Sequence, residues 1–162
     1  LRITHWLNVL VEESKDDELH IIKNWDFMAF KEEYKYFELD QIEWFYKKMR
    51  KEKIEFNEIQ FFYTVYTVSQ EPVGFIWIEK KDFPSYDIYT IKQIYIIPDF
   101  RGLNLVEMLF LTALKKLDNK EEDKVLVSLT NEIEDLNMLL KKSEAHCVSR
   151  LYIKEINGFK NL

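Results

Sequence analysis

The most constraining feature of this chain is an abrupt change of hydrophobic period at Pro98-Asp-Phe-Arg-Gly102. Before it, Ile88 to Ile97 is dense in β-branched and aromatic residues and reads as a strand. Pro98 closes that strand, because it has no N–H to donate to a ladder. After Gly102, Leu105, Met108, Leu109, Leu111 and Thr112 fall on one broad helical face. A strand that gives way to a helix through so short a segment directs the unpaired amides and the positive dipole end of the helix at one point, which suits a pyrophosphate. With only three glycines and three prolines in 162 residues, Gly74, Gly102 and Gly158 are expected where backbone geometry demands them.

Upstream, Phe61 to Ser69 and Val73 to Glu79 are two strand-like runs joined by Gln70-Glu71-Pro72, which predicts an antiparallel pair. Phe27 to Phe37 and Asp40 to Lys51 have helical spacing, with Asp40 as the expected N-cap of the second. Leu19 to Trp25 reads as a strand that follows an opening strand in Leu1 to Val11 and a turn in the polar run Glu12 to Glu18, with a first helix as the alternative that periodicity leaves open. Downstream, Lys124 to Leu129 reads as a buried strand, and Ile133, Leu136, Leu139 and Leu140 mark a further helix. The order is that of one α/β (α+β) domain over residues 1–162, with residues 1–18 as an N-terminal extension strand.

The net charge of -6 disfavours nucleic acid as a partner and suits an amine-bearing one. The lone Cys147 excludes an internal disulfide and fits a reducing compartment, so the expected location is cytoplasmic. No apolar run approaches a membrane span, and no metal is expected because His5, His20 and His146 share no ligand spacing. The missing initiator Met reads as a trimmed start.

The stretch Gln93-Ile-Tyr-Ile-Ile-Pro-Asp-Phe-Arg-Gly-Leu-Asn-Leu-Val-Glu-Met-Leu-Phe110 resembles the cofactor signature of the GCN5-related N-acetyltransferase (GNAT) superfamily, with Ile96, Pro98, Arg101 and Gly102 matching. Gln70-Glu-Pro-Val-Gly-Phe-Ile76 and Val125 to Asn131 extend the resemblance to roughly two thirds of the chain. It implies a mixed, mostly antiparallel central sheet flanked by helices on both faces. It also implies acetyl-CoA as cosubstrate and a small-molecule or peptide primary amine as acceptor. The cofactor residues it implies are Arg101, Gly102, Leu103, Asn104, Leu105 and Val106 at the pyrophosphate, Ile94, Tyr95 and Ile96 beside the pantetheine and thioester, and Asn131.

The catalytic residues it implies are Gln93, standing where the family often has a glutamate and able to orient water, and Tyr152 as the acid. Two alignments remain for the acid. The first makes 132–142 the family's fourth helix, puts Met138 or Leu140 at the tyrosine position and is favoured by spacing; the second makes 143–156 that helix and Tyr152 the acid. Val106, and Asn104 where a small residue is expected, depart from the pattern. A second reading is therefore a catalytically degenerate relative that binds acyl-CoA or a protein partner without turnover. A third is an interaction module, in which an edge strand near the chain end serves homodimerisation. Since the chain stops at Leu162, the last strand is either absent or replaced by the N-terminal segment. Trp25, Phe30, Tyr34 and Trp44 are candidates for the acceptor side, with core packing as their alternative.

Overall fold

The computed structural model describes residues 8–50, 53–127 and 141. The chain divides into two compact units, Leu1–Ser128 and Leu129–Leu162. The strands and helices from Val9 to Val127 all lie in the first. The expected helix at Ile133 to Leu140, Asn131, Cys147 and Tyr152 lie outside the described residues.

Strand β1 (Val9–Glu13) leads through a 3-10 turn at Asp16–Glu18 into helix α1 (Leu19–Glu33), followed by α2 (Leu39–Met49). Strands β2 (Gln60–Thr67), β3 (Pro72–Asp82) and β4 (Asp87–Ile96) form a meander, and after a 3-10 turn at Pro98–Phe100 come α3 (Leu105–Lys116) and β5 (Lys124–Val127). The sheet order is β1-β2-β3-β4-β5. Neighbours are antiparallel except β4 and β5, which are parallel and pair from Ile88↔Lys124 to Ile91↔Val127.

The expected hairpin and third strand are present within one to three residues of their sequence limits. Three other expectations are corrected. Leu19 to Trp25 is the first half of α1 and not a strand. The helical period shows only in a window reaching past Trp25, where Ile22, Trp25, Asp26, Ala29 and Phe30 form the buried stripe. The N-cap of α2 is Glu38 rather than Asp40; the Glu38 amide donates to Gln41 Oε1 at 3.1 Å, while Asp40, one position inside the first turn, accepts the Gln41 amide at 2.9 Å. Strand β5 is exposed at Lys124, Val125 and Leu126 rather than buried.

Register sorts the sheet into two faces. Phe62, Thr64, Phe75, Trp77, Gln93 and Tyr95 share one, as the pairs Phe62↔Trp77, Thr64↔Phe75, Trp77↔Gln93 and Phe75↔Tyr95 require. Against it lie Ile22, Trp25 and Ala29 of α1, together with Ile54, in one cluster with Trp25 stacked on Phe75 and Phe62 stacked on Trp77. The opposite face presents Val65, Ile76, Ile78, Ile94 and Ile96, and α3 packs across the strands with Leu105, Leu109, Phe110 and Ala113 buried. Helices therefore cover both faces of a mostly antiparallel sheet.

Gly74 is fixed by close approach. A Cβ there would meet the Tyr95 carbonyl oxygen at 2.6 Å and Ile96 Cδ1 closer still, so β3 and β4 pair tightly only with glycine. In β4 the register shifts between Ile78↔Ile91 and Trp77↔Gln93, which leaves Lys92 as the extra residue of a β-bulge.

Candidate functional site

The bulge at Lys92 lies just beyond the last described β4–β5 pair, Ile91↔Val127, and begins the segment Gln93 to Ile96. The Ile97 amide donates to Val73 O at 2.9 Å, so it points toward β3. Alternation then turns the peptide groups of Ile94 and Ile96 toward the other side of β4. Both are engaged there by side chains: the Ile94 amide donates to Gln93 Oε1 at 3.2 Å, and the Ile96 carbonyl accepts from Arg101 Nε at 2.8 Å. The side chains of Ile94, Tyr95 and Ile96 are all buried, so this segment offers a ligand its backbone.

Beyond it the chain makes two left-handed residues, Gly102 at φ 80 and Asn104 at φ 60. Asparagine tolerates this conformation better than other side-chain-bearing residues, so Asn104 keeps the turn without a second glycine. Asn104 is the N-cap of α3; its carbonyl accepts the Met108 amide at 3.1 Å, and its side chain makes no capping bond. The 12-residue α3 thus starts without a side-chain cap from Asn104, and its first turn carries the amides and the positive dipole end that have no partner within the helix. Val106 is half-buried in the first turn, where it adds bulk without closing the helix end.

Arg101 is held by partners within the chain. Besides holding the Ile96 carbonyl, its Nη2 donates to both oxygens of Glu32 on α1, at 2.8 and 3.1 Å, and the guanidinium lies 5.3 Å from the Tyr95 ring centroid. The arginine braces the turn that carries Gly102, Leu103, Asn104, Leu105 and Val106 against α1 and β4. Burial is the main cause that raises the Tyr95 phenol above its ordinary range.

On the α1 face of β4 lies a group that the sequence alone does not reveal. Asp26 is fully buried, and its carboxylate accepts from Arg50 Nε at 2.9 Å, Arg50 Nη2 at 2.8 Å and the Tyr46 hydroxyl at 2.6 Å. The Arg50 guanidinium in turn sits 4.9 Å from the Trp77 ring centroid. Gln93 Nε2 reaches Asp26 Oδ1 at 3.5 Å, which ties this group to the β4 backbone. Desolvation first, then the hydrogen bond to Asp26, pushes the Tyr46 phenol well above its usual range. One signal is present in the sequence: Asp26 interrupts an apolar stripe, and a carboxylate there must have a donor.

Of the acceptor-side candidates, Trp25 and Phe30 are core residues, Tyr34 is half-buried against Phe30, and Trp44 is exposed. Among the described residues, no cluster of His, Cys, Asp or Glu could hold a metal, and no helix is long and apolar enough to cross a membrane.

This architecture is shared with solved structures. A structure described as "a possible acetyltransferase from Clostridium difficile 630" is 16% identical with TM-score 0.59, covering 91% of this chain and 97% of that one. The ribosomal-protein-alanine N-acetyltransferase from Brucella melitensis biovar Abortus 2308 is 13% identical with TM-score 0.59, covering 92% and 100%. The aminoglycoside N-acetyltransferase AAC(6')-Iy, in complex with CoA, is 10% identical with TM-score 0.57, covering 92% and 95%. At these identities the likeness is one of fold. No curated protein matches the chain significantly. Residues 18–150, which include both the β4 bulge and the turn into α3, match the acetyltransferase (GNAT) family, and the chain belongs to that family.

Proposed function

We propose that this protein transfers an acetyl group from acetyl-CoA to the primary amine of a small molecule or peptide. The observation that carries this reading is the uncapped α3 N-terminus, reached through left-handed Gly102 and Asn104 at the end of β4. A pyrophosphate there would be held by amides of Gly102 to Val106 and by the helix dipole, with Arg101 shaping the turn. The pantetheine arm would run along Ile94 to Ile96, with the thioester oxygen at the Ile94 amide. The lone Cys147 suits a cytoplasmic enzyme of this kind.

In the reaction, the lone pair of a neutral amine attacks the thioester carbonyl carbon, and charge developing on the oxygen is stabilised by the Ile94 amide. Collapse breaks the C–S bond, and the CoA thiolate leaves with the electron pair. The surplus proton of the amine passes to water, because Gln93 is not a base and can only orient that water. The thiolate regains one proton, from Tyr152 in the alignment that makes that residue the acid. Amide and free CoA thiol are the products.

The test is calorimetric titration with acetyl-CoA and CoA, compared with Val106→Asp. A carboxylate in the first turn of α3 favours the helix but repels a pyrophosphate, so affinity should fall at least tenfold while the folded state persists. No binding at millimolar ligand to the unaltered protein would sink the reading.

A further inference from the structure

We propose that the Gln93 carboxamide is a built-in stand-in for the acyl carbonyl, held on the Ile94 amide by Asp26, and that acyl-CoA must displace it. This rests on the placement of the thioester at Ile94 in the proposed function. The β4 amide that would receive the thioester oxygen already donates to Gln93 Oε1 at 3.2 Å. A carboxamide oxygen and a thioester oxygen are both neutral carbonyl acceptors, so the two compete for a single N–H.

The orientation of Gln93 follows from its partner. Asp26 is acceptor-only when ionised, and Gln93 faces Asp26 Oδ1 with one end of its carboxamide. That end must be the NH2, which turns the oxygen to Ile94. Asp26 cannot turn away in response, because Tyr46 and Arg50 hold it with three shorter bonds of 2.6 to 2.9 Å. The β-bulge at Lys92 supplies the remaining element, since it puts Gln93 on the α1 face, opposite Trp77, where Asp26 can reach it. Asp26 is therefore a positioning residue that acts through Gln93, and it needs no proton transfer of its own.

The consequence is a selectivity between ligands. Free CoA has no acyl carbonyl and leaves Gln93 in place, whereas acetyl-CoA exchanges one hydrogen bond for another of similar strength and gains little from the Ile94 amide. Removing the stand-in should tighten acetyl-CoA but not CoA.

The experiment titrates CoA and acetyl-CoA into the full chain, Gln93→Ala and Asp26→Asn, and follows the Ile94 amide by 15N-resolved NMR. In Gln93→Ala the ratio of acetyl-CoA to CoA affinity should rise roughly threefold to tenfold, the span of one net hydrogen bond. The Ile94 resonance should move toward an unbonded position and return when acetyl-CoA is added. Both Asp26 oxygens accept from Arg50, so in Asp26→Asn the new NH2 meets an Arg50 N–H whichever way the carboxamide turns, and the hold on Gln93 weakens. The ratio should move the same way by a smaller factor. Both ligands binding with an unchanged ratio in Gln93→Ala, or an Ile94 amide unmoved in that variant, overturns the stand-in and leaves the cofactor site intact. No binding of either ligand to any of the three proteins overturns both readings.

Discussion

Two buried carboxylates stand near the two ends of the same sheet face, and they are solved differently. Glu18, at the start of α1, accepts the Lys15 amide and the Tyr66 hydroxyl, with Lys15 Nζ 4.8 Å from the centre of the Tyr66 ring. Nearby, Ser14 and Thr64 share a hydrogen bond of 2.6 Å. This group ties β1 and β2 to the entry of α1. Asp26, two turns further along, is paired bidentately with the guanidinium of Arg50 and reaches Gln93 on β4. The first carboxylate is satisfied by nearby donors and leads nowhere else, whereas the second spans α1, α2 and the strand edge of the proposed thioester site. A buried carboxylate marks function less by its burial than by where its donors lead.

The sharpest way to break this comparison is Asp26→Ala. It takes the bidentate carboxylate from the Arg50 guanidinium, which is 18% exposed, and should cost about 3 kcal/mol in denaturant unfolding. Pairing it with Arg50→Met should recover most of that loss. A weaker effect is expected from Tyr66→Phe, which takes one donor from Glu18 and should cost about 1–2 kcal/mol. Acetyl-CoA affinity should stay unchanged there, since Tyr66 lies on β2, separated from β4 by β3; an altered affinity would erase the distinction between the two groups.

The smallest effect is shared by both groups and is read by pH. Tyr46 and Tyr66 are each raised from 10.0, chiefly by burial and then by their carboxylate partners. The unfolded chain therefore releases these protons first. The stability they contribute is complete below pH 10.0 and is lost as pH rises through the folded values. Tyr46→Phe and Tyr66→Phe should each flatten the alkaline arm of the stability profile.

The contrast also explains what is legible in the sequence. Strands β2 to β4 and the start of α3 announce themselves because their signals are local: alternating aromatic and β-branched residues, Pro98, and Gly102 followed by a helical stripe. Asn104 is legible for the same reason, since its left-handed backbone is a property of one residue. The Asp26 group is not, because its members are 20, 24 and 67 residues apart in sequence and meet only once α1, α2 and β4 are packed. Arg101 is legible as part of a turn, but its commitment to Glu32, 69 residues away, depends on the same packing. The first half of α1 reads as a strand because a seven-residue window holds too little of the helical stripe to outweigh its apolar run.

The bulge at Lys92 is the one place where β4 can change length without changing which layer its residues face. Because Ile91 opposes Ile78 and Gln93 opposes Trp77, consecutive odd positions on this strand face opposite layers of the protein. Deleting Lys92 would leave Asp26, Arg50 and Gln93 all in the chain. It would also keep both halves of the strand on their present sides, because Ile91 and Gln93 would become successive residues opposite Ile78 and Trp77; what it would remove is the local bend and added twist of the extra residue. What the extra residue adds is therefore the kink from which the segment Gln93 to Ile96 departs, while the layer that each of these side chains faces is set by the pairs on either side of it.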